Sequence, residues 1–148
     1  MTDRIVVVTA AAGAGIGYAV AKKAVEEGAT VVISDVHERR LGEAADLLAE
    51  MVGIRPVTMV CDVRDAAQVQ ALLDAALAEH GRSDVMVNNA GLGGDTPLVE
   101  MTDEEWDRVL DVTLTGSMRC TRASMRIMGG QGHGVIVNNA SVLGWRAQ

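Results

Sequence analysis

Short runs of β-branched and aliphatic residues alternate along the chain with longer stretches in which apolar positions recur every three or four residues. The first kind of segment has the composition of a buried strand, the second the period of a helix laid on a sheet. Five strands are predicted: Arg4 to Thr9, Thr30 to Ser34, Pro56 to Cys61, Asp84 to Val87 and Gly134 to Asn138. Each of the first four leads into a helical stretch, beginning near Gly15, Glu38, Asp65 and Thr102. Strand and helix in alternation define βαβ units around a parallel sheet. The expected fold is therefore α/β, a Rossmann-like doubly wound sheet of about five strands in a single domain over residues 1 to 148.

Local signals agree with this division. Gly28 is a natural C-terminal glycine for the first helix. Asp65 is placed as an N-cap with Gln68 three residues on, ahead of Val69, Leu72, Leu73, Ala76 and Leu77 on one helical face. Thr102 and Glu105 form a capping box, with Met101 and Trp106 as its hydrophobic staple. Right-handed crossovers bring all strand C-termini to one edge, where open α/β sheets bind ligands, so Thr9, Asp35, Asp62, Asn89 and Ser141 should gather there. One echo stands out, VMVNNAG at 85 to 91 and VIVNNAS at 135 to 141, read as two buried strands with similar polar exits.

Composition narrows the core and the partners. Apolar residues make up 49% of the chain but aromatics only 2%, so the core is built from Val, Ala, Leu, Ile and Met, which suits helices packed closely on a parallel sheet. A chain of this length buries roughly two-thirds of its unfolded surface. The formal charge of -7 argues against a nucleic-acid backbone or an anionic membrane as main partner. Cys61 and Cys120 fit neither a disulfide framework nor a zinc spacing; they read as small core hydrophobes in a reducing cytoplasm, and no metal site is expected. Ile5 to Ala21 carries no charge, yet its bulky run stops at Val8 and three glycines interrupt it, so it is not read as a signal peptide. No stretch reaches the length of about 18 apolar residues that a membrane span needs.

The chemistry begins at VVVTAAAGAGIG, Val6 to Gly17, where a buried strand enters a glycine-rich turn and then a helix. Glycines let a backbone approach a pyrophosphate, and the helix N-terminus offers free N–H groups and a favourable dipole. A ligand-free tight turn has the same pattern. The next strand ends at Asp35, eighteen residues after Gly17. A carboxylate there accepts hydrogen bonds from the adenosine ribose and repels a 2′-phosphate, which favours NAD(H) over NADP(H). Its other reading is a cap for the following helix. His37, Arg39 and Arg40 pull the other way, since a nearby Arg accommodates a 2′-phosphate.

Thr9 with the glycine turn, Asp35, the Asp62-Val63 pair, Asn88-Asn89-Ala90-Gly91 and the VIVNNAS strand together resemble the short-chain dehydrogenase/reductase family, over essentially the whole chain. More narrowly, ISDVHERRLGEA, NNAGLGGDTPL, MTDEEWDRVLDVTLTG and VIVNNASVLGWRAQ resemble the actinobacterial reductases of steroid catabolism that act on a coenzyme A-linked hydrindane ring. The resemblance implies that Gly13, Gly15, Ile16 and Gly17 hold the pyrophosphate side, Asp35 the ribose, and Asp62 and Val63 the adenine. Asn89, Ala90 and Gly91 would line the cofactor cleft or brace the central strand. Ser141 matches the catalytic serine, whose hydroxyl bonds the substrate oxygen.

The sequence departs from the family in three places. Ala10 and Ala11 stand where the first glycine follows Thr, a change expected to cost little because Ala is small. Thr113 replaces the Asn that helps hold a proton-relay water; threonine can still hydrogen-bond, but its shorter side chain and its capacity to bond its own helix backbone count against the relay. The family's Tyr and Lys, general acid and pKa-tuning partner, would follow Ser141 by about a dozen residues and four more. The only Tyr is Tyr18, whose spacing to Lys22 imitates that pair by accident. The expectation is an amino-terminal fragment or truncated product, with the apolar surface of Val135 to Val137 left open. The parent activity implied is ketone and secondary alcohol interconversion, on a coenzyme A-linked steroid remnant or, as runner-up, a 3-oxoacyl thioester. The rival of another class is a dinucleotide-binding module without turnover. Leu92 to Leu98 and Val142 to Trp145 are the pocket residues within reach, with Trp145 either a pocket wall or a core filler. The family's usual homotetramers use the helices before and after the serine strand, of which only the first falls in these residues.

Overall fold

In the computed structural model, which describes residues 1 to 93 and 96 to 141, the strands form one parallel sheet in the order β3-β2-β1-β4-β5. They are β1 (Ile5–Val8), β2 (Thr30–Asp35), β3 (Val57–Val60), β4 (Val85–Asn88) and β5 (Val135–Asn138). Helices α1 (Ile16–Glu26) and α2 (Glu38–Val52) cover one face; α3 (Ala66–His80) and α5 (Gly116–Gln131) cover the other. Alternation along each strand sorts the side chains. Val6, Val8, Val31 and Ile33 pack under α1 and α2, while Ile5, Val7, Val32 and Met86 pack under α3 and α5. This is the doubly wound α/β arrangement expected, with every strand found within two residues of its predicted bounds.

The predicted caps are present. Asp65 accepts hydrogen bonds from the Ala67 and Gln68 N–H groups at 2.8 and 3.3 Å. The Thr102 hydroxyl accepts from the Glu105 N–H at 3.2 Å, and the Glu105 carboxylate accepts from the Thr102 N–H at 2.9 Å, a complete capping box. The helix it starts is longer than the sequence signalled. After α4 (Asp103–Leu110) the chain keeps right-handed helical angles through a π-helical turn (Asp111–Thr115) directly into α5. A π turn widens the helix locally and often marks a functional position.

Cys61 and Cys120 are both buried in the α3 and α5 core, as expected. Burial pushes the Cys61 thiol up to about 11, with Asp62 and Asp65 adding to it. Burial likewise pushes Cys120 up to about 12, so neither is a thiolate near neutrality. The expectation for Val135 to Val137 needs a correction. Val135 and Val137 are exposed, but Ile136 points to the opposite face and is half-buried there in the α5 core. No helix among the described residues is long and apolar enough to cross a membrane.

At the opposite edge from the predicted site, Asp84 joins β4 to β1. Its carboxylate, 2% exposed, accepts from the Ile5 N–H at 2.8 Å and from Arg82 Nε at 3.0 Å, with Arg4 at 3.5 Å. Burial works to raise this carboxyl, but the Ile5 N–H and the two guanidiniums outweigh it and hold it below the ordinary value of 3.8. A depressed folded value means the stabilisation is complete above the unfolded value and is lost as pH falls through the folded one. Asp84→Ala is expected to cost about 2 kcal/mol near neutrality in urea denaturation. That difference from wild type should shrink as pH falls below 3.8; a gap independent of pH would show that the charge is not what matters.

Candidate active site

The turn between β1 and α1 is held from below by β4. Thr9, 1% exposed, donates its hydroxyl to the Val87 carbonyl at 3.3 Å and accepts from the Asn89 and Ala90 N–H groups at 3.0 and 3.1 Å. The Asn89 side-chain amide donates to the carbonyls of Thr9 and Ala10 at 3.2 and 3.1 Å. Asn89 therefore braces the turn from beneath. Gly17 lies on the same contact. A Cβ there would stand 2.3 Å from the Ala10 carbonyl oxygen and 2.6 Å from Asn89 Nδ2, so α1 sits this close to the turn only because residue 17 has no side chain.

Gly15 caps α1 without a side-chain hydrogen bond. A Cβ at either Gly13 or Gly15 would meet nothing within 4 Å, so backbone faces open space over the helix N-terminus. Ile16 is 62% exposed at the start of the helix. Ala10 does not behave as expected. It holds φ at 51°, the left-handed region, where a Cβ crowds the backbone and costs about 1 kcal/mol. Its small size is no relief, because the strain belongs to the backbone angle and is felt by any residue except glycine.

On the β2 and β3 side, Ala10, Asp35, Asp62, Val63, Ala90 and Gly91 line a cavity of about 150 Å3, together with Arg64, Arg108 and Val112 among others. That volume is on the scale of one aromatic ring. Asp35 is fixed by accepting from the Ala12 N–H at 3.2 Å and the His37 N–H at 3.0 Å. A carboxylate offers about four acceptor positions, so about two remain for a ligand. Arg64, which the sequence did not single out, holds Asp62 through Nε and Nη2 at 2.9 and 2.6 Å. This hydrogen bonding, against the effect of burial, lowers the Asp62 carboxyl below its ordinary value. Arg39 is paired with Glu43 at 2.6 Å on the exposed face of α2.

Thr113 lies in the π-helical turn behind this cavity. Its hydroxyl accepts from the Leu92 N–H at 3.2 Å, and the Ser117 hydroxyl donates back to the Thr113 carbonyl at 2.8 Å. Nothing in the sequence pointed to Ser117. Ser141 is exposed, three residues beyond the end of β5 on the same sheet edge, and lines neither this cavity nor the hollow beside Ile16 and Asn89. Tyr18, in the first turn of α1, is partly buried and packs against the α1 and α2 core. Residues 94, 95 and 142 to 148, including Trp145 and part of the expected pocket loops, lie outside the described residues.

A buried strand, a backbone-lined turn at a helix N-terminus, and an acidic residue ending the next strand are the elements of a dinucleotide-binding oxidoreductase fold. The short chain dehydrogenase family model matches residues 4–148, and the chain belongs to that family. It is 62% identical over 149 residues to the (5R,7aS)-5-hydroxy-7a-methyl-1-oxo-2,3,5,6,7,7a-hexahydro-1H-indene-carboxyl-CoA reductase of Mycobacterium tuberculosis, across 100% of this chain and 57% of that protein. A short chain dehydrogenase from Mycobacterium smegmatis superposes with a TM-score of 0.95 at 61% identity, over 99% of this chain and 62% of the other. The L-sorbose reductase of Gluconobacter frateurii, solved with NADPH and L-sorbose, superposes at 0.87 with 32% identity, covering 95% and 53%. The chain thus spans a little over half the length of the curated relatives it matches.

Two substitutions in the turn should move stability in opposite directions. Ala10→Gly relieves the left-handed strain and is expected to raise stability by about 1 kcal/mol, or Tm by about 3 °C. Gly17→Ala drives a methyl into the Ala10 carbonyl and should cost about 2 kcal/mol. Thermal unfolding of both variants checks this, and a destabilised Ala10→Gly would contradict the geometry.

Proposed function

We propose that this chain forms the dinucleotide-binding part of an NAD(P)-dependent oxidoreductase that interconverts a ketone and a secondary alcohol, with NAD(H) favoured over NADP(H). The observation that carries the reading is Asp35, fixed by two backbone N–H groups at the rim of the ring-sized cavity with acceptor positions to spare. The open backbone of Gly13 and Gly15 at the α1 N-terminus fits a pyrophosphate. Ala10, Val63 and Ala90 offer the apolar wall that an adenine needs, while Asp62 sits at its edge.

When bound, the nicotinamide group supplies or accepts hydride. The chain's own part is to hold and orient: Gly15, Ile16 and Gly17 the pyrophosphate, Asp35 the adenosine ribose, and Asn89, Ala90 and Gly91 the floor of the cleft. Ser141, on the exit of β5, is assigned the hydrogen bond to the substrate oxygen. Thr113 supports the Gly91–Leu92 floor through the Leu92 N–H. The substrate class is a ring ketone or alcohol on a coenzyme A-linked steroid remnant, supported by likeness to the Mycobacterium tuberculosis reductase along the whole of this chain. None of these 148 residues is assigned the family's proton donor, because their one Tyr is Tyr18, on the first turn of α1 and packed against the α1 and α2 core. Cytoplasmic placement and homo-oligomer formation belong to the same proposal, on the family's pattern.

Calorimetry with NADH and NADPH tests the cofactor assignment. Wild type is expected to prefer NADH, and Asp35→Ser to narrow that preference by about tenfold through loss of a like-charge contact with the 2′-phosphate. An unchanged ratio would remove Asp35 from the site. Ketone-dependent NADH oxidation by this same chain should run at least about 100-fold below a normal dehydrogenase, the usual weight of a missing positioned acid; a normal rate would refute the assignment of the proton donor.

A further inference from the structure

The repeated NNA motifs meet in space. β4 and β5 pair in parallel with Asn88 opposite Asn138, which sets Asn89 beside Asn139 just past the strand ends. Each pair is bonded through its side chains, on opposite faces of the sheet. On the α5 side Asn88 Nδ2 donates to Asn138 Oδ1 at 2.7 Å and to Thr121 Oγ1 at 2.9 Å. On the α1 side Asn139 Nδ2 donates to Asn89 Oδ1 at 2.9 Å.

The second pair reaches the cofactor turn. The orientation of the Asn89 amide is set, because its Nδ2 donates to the Thr9 and Ala10 carbonyls and a flip would face oxygen with oxygen. Its Oδ1 is then left pointing at β5, and Asn139 supplies the donor. The turn that this chain of amides ends on is the one holding Ala10 in the left-handed region. A strained backbone keeps its conformation only where neighbours hold it, and Asn89 is such a neighbour.

We propose that Asn139 is a positioning residue for the dinucleotide turn: through Asn89 it holds the strained Ala10 segment in the geometry that receives the pyrophosphate. The proposal rests on the reading that this turn binds a dinucleotide. Linkage makes the effect reciprocal, so a dinucleotide on the turn favours the same placement of Asn139, two residues before Ser141.

The test is a double-mutant cycle read by NADH binding to the 148-residue chain, followed by fluorescence, with folding checked by circular dichroism. Asn139→Val is expected to weaken NADH binding about fivefold, the weight of one net hydrogen bond. Asn139→Ser, too short to reach Asn89 yet polar and solvent-compatible, should do the same without adding apolar surface. In an Ala10→Gly background, where the turn needs no external hold, either loss should shrink to about twofold or less. Unchanged binding in the Asn139 variants overturns the proposal and leaves the dinucleotide reading standing. The same fivefold loss in both backgrounds also overturns it, because the effect would then not pass through the turn. Failure of folded wild type to bind NADH overturns the dinucleotide reading and this proposal with it.

Discussion

The structure depends on how the ends of β1 and β4 are joined. These neighbouring strands hand the chain to opposite faces of the sheet, so their backbone groups lose ladder partners just where the crevice opens. Thr9 supplies the missing partner. One hydroxyl accepts two N–H groups from the start of the NAG segment and donates to Val87, closing the seam with a side chain small enough to stay buried. Asn89 repeats the device in the other direction by donating to the carbonyls of Thr9 and Ala10. Without these bonds several polar backbone groups would be buried unpaired beside the turn, each costing about 1–3 kcal/mol.

Everything chemical in the chain is built on that seam. It fixes the turn, the turn fixes the N-terminus of α1, and the absence of a side chain at Gly17 lets the helix close onto both. On one side the crevice is walled by carboxylates already committed in part to neighbours, Asp35 to backbone N–H groups and Asp62 to Arg64. Such groups pay little reorganisation on meeting a ligand, because their orientation is set beforehand. On the other side the floor formed by Gly91 and Leu92 rests on Thr113, inside a turn of helix wound more widely than its neighbours.

Much of this could be read from the sequence, for reasons that are local. Strand and helix alternation, the caps at Asp65 and Thr102, and the glycine turn ahead of Asp35 each depend on residues close together in the chain, so their patterns survive in one dimension. What escaped depends on contacts between distant residues or on backbone angles. The strain at Ala10 is invisible until the angle is known, since Ala is unremarkable by size. The grip of Arg64 on Asp62 looks in sequence like any pair of surface charges. The doubled NNA motif was visible as an echo, but only the β4–β5 register shows that its members bond one another. The π-helical turn had no signal at all in the spacing of apolar residues, and it carries Thr113, whose hydroxyl accepts from the Leu92 N–H.

The central claim is that the β1–α1 turn and the Asp35 cavity form one dinucleotide site. Amide chemical-shift mapping of the labelled chain during an NADH titration tests it most directly. The account predicts concerted shifts at Gly13, Gly15, Ile16 and Gly17 together with Asp35, Val63 and Ala90, saturating at one dinucleotide per chain. Shifts confined to another hollow, such as the one between Val25, Leu48 and His80 at the opposite end of the sheet, would contradict it.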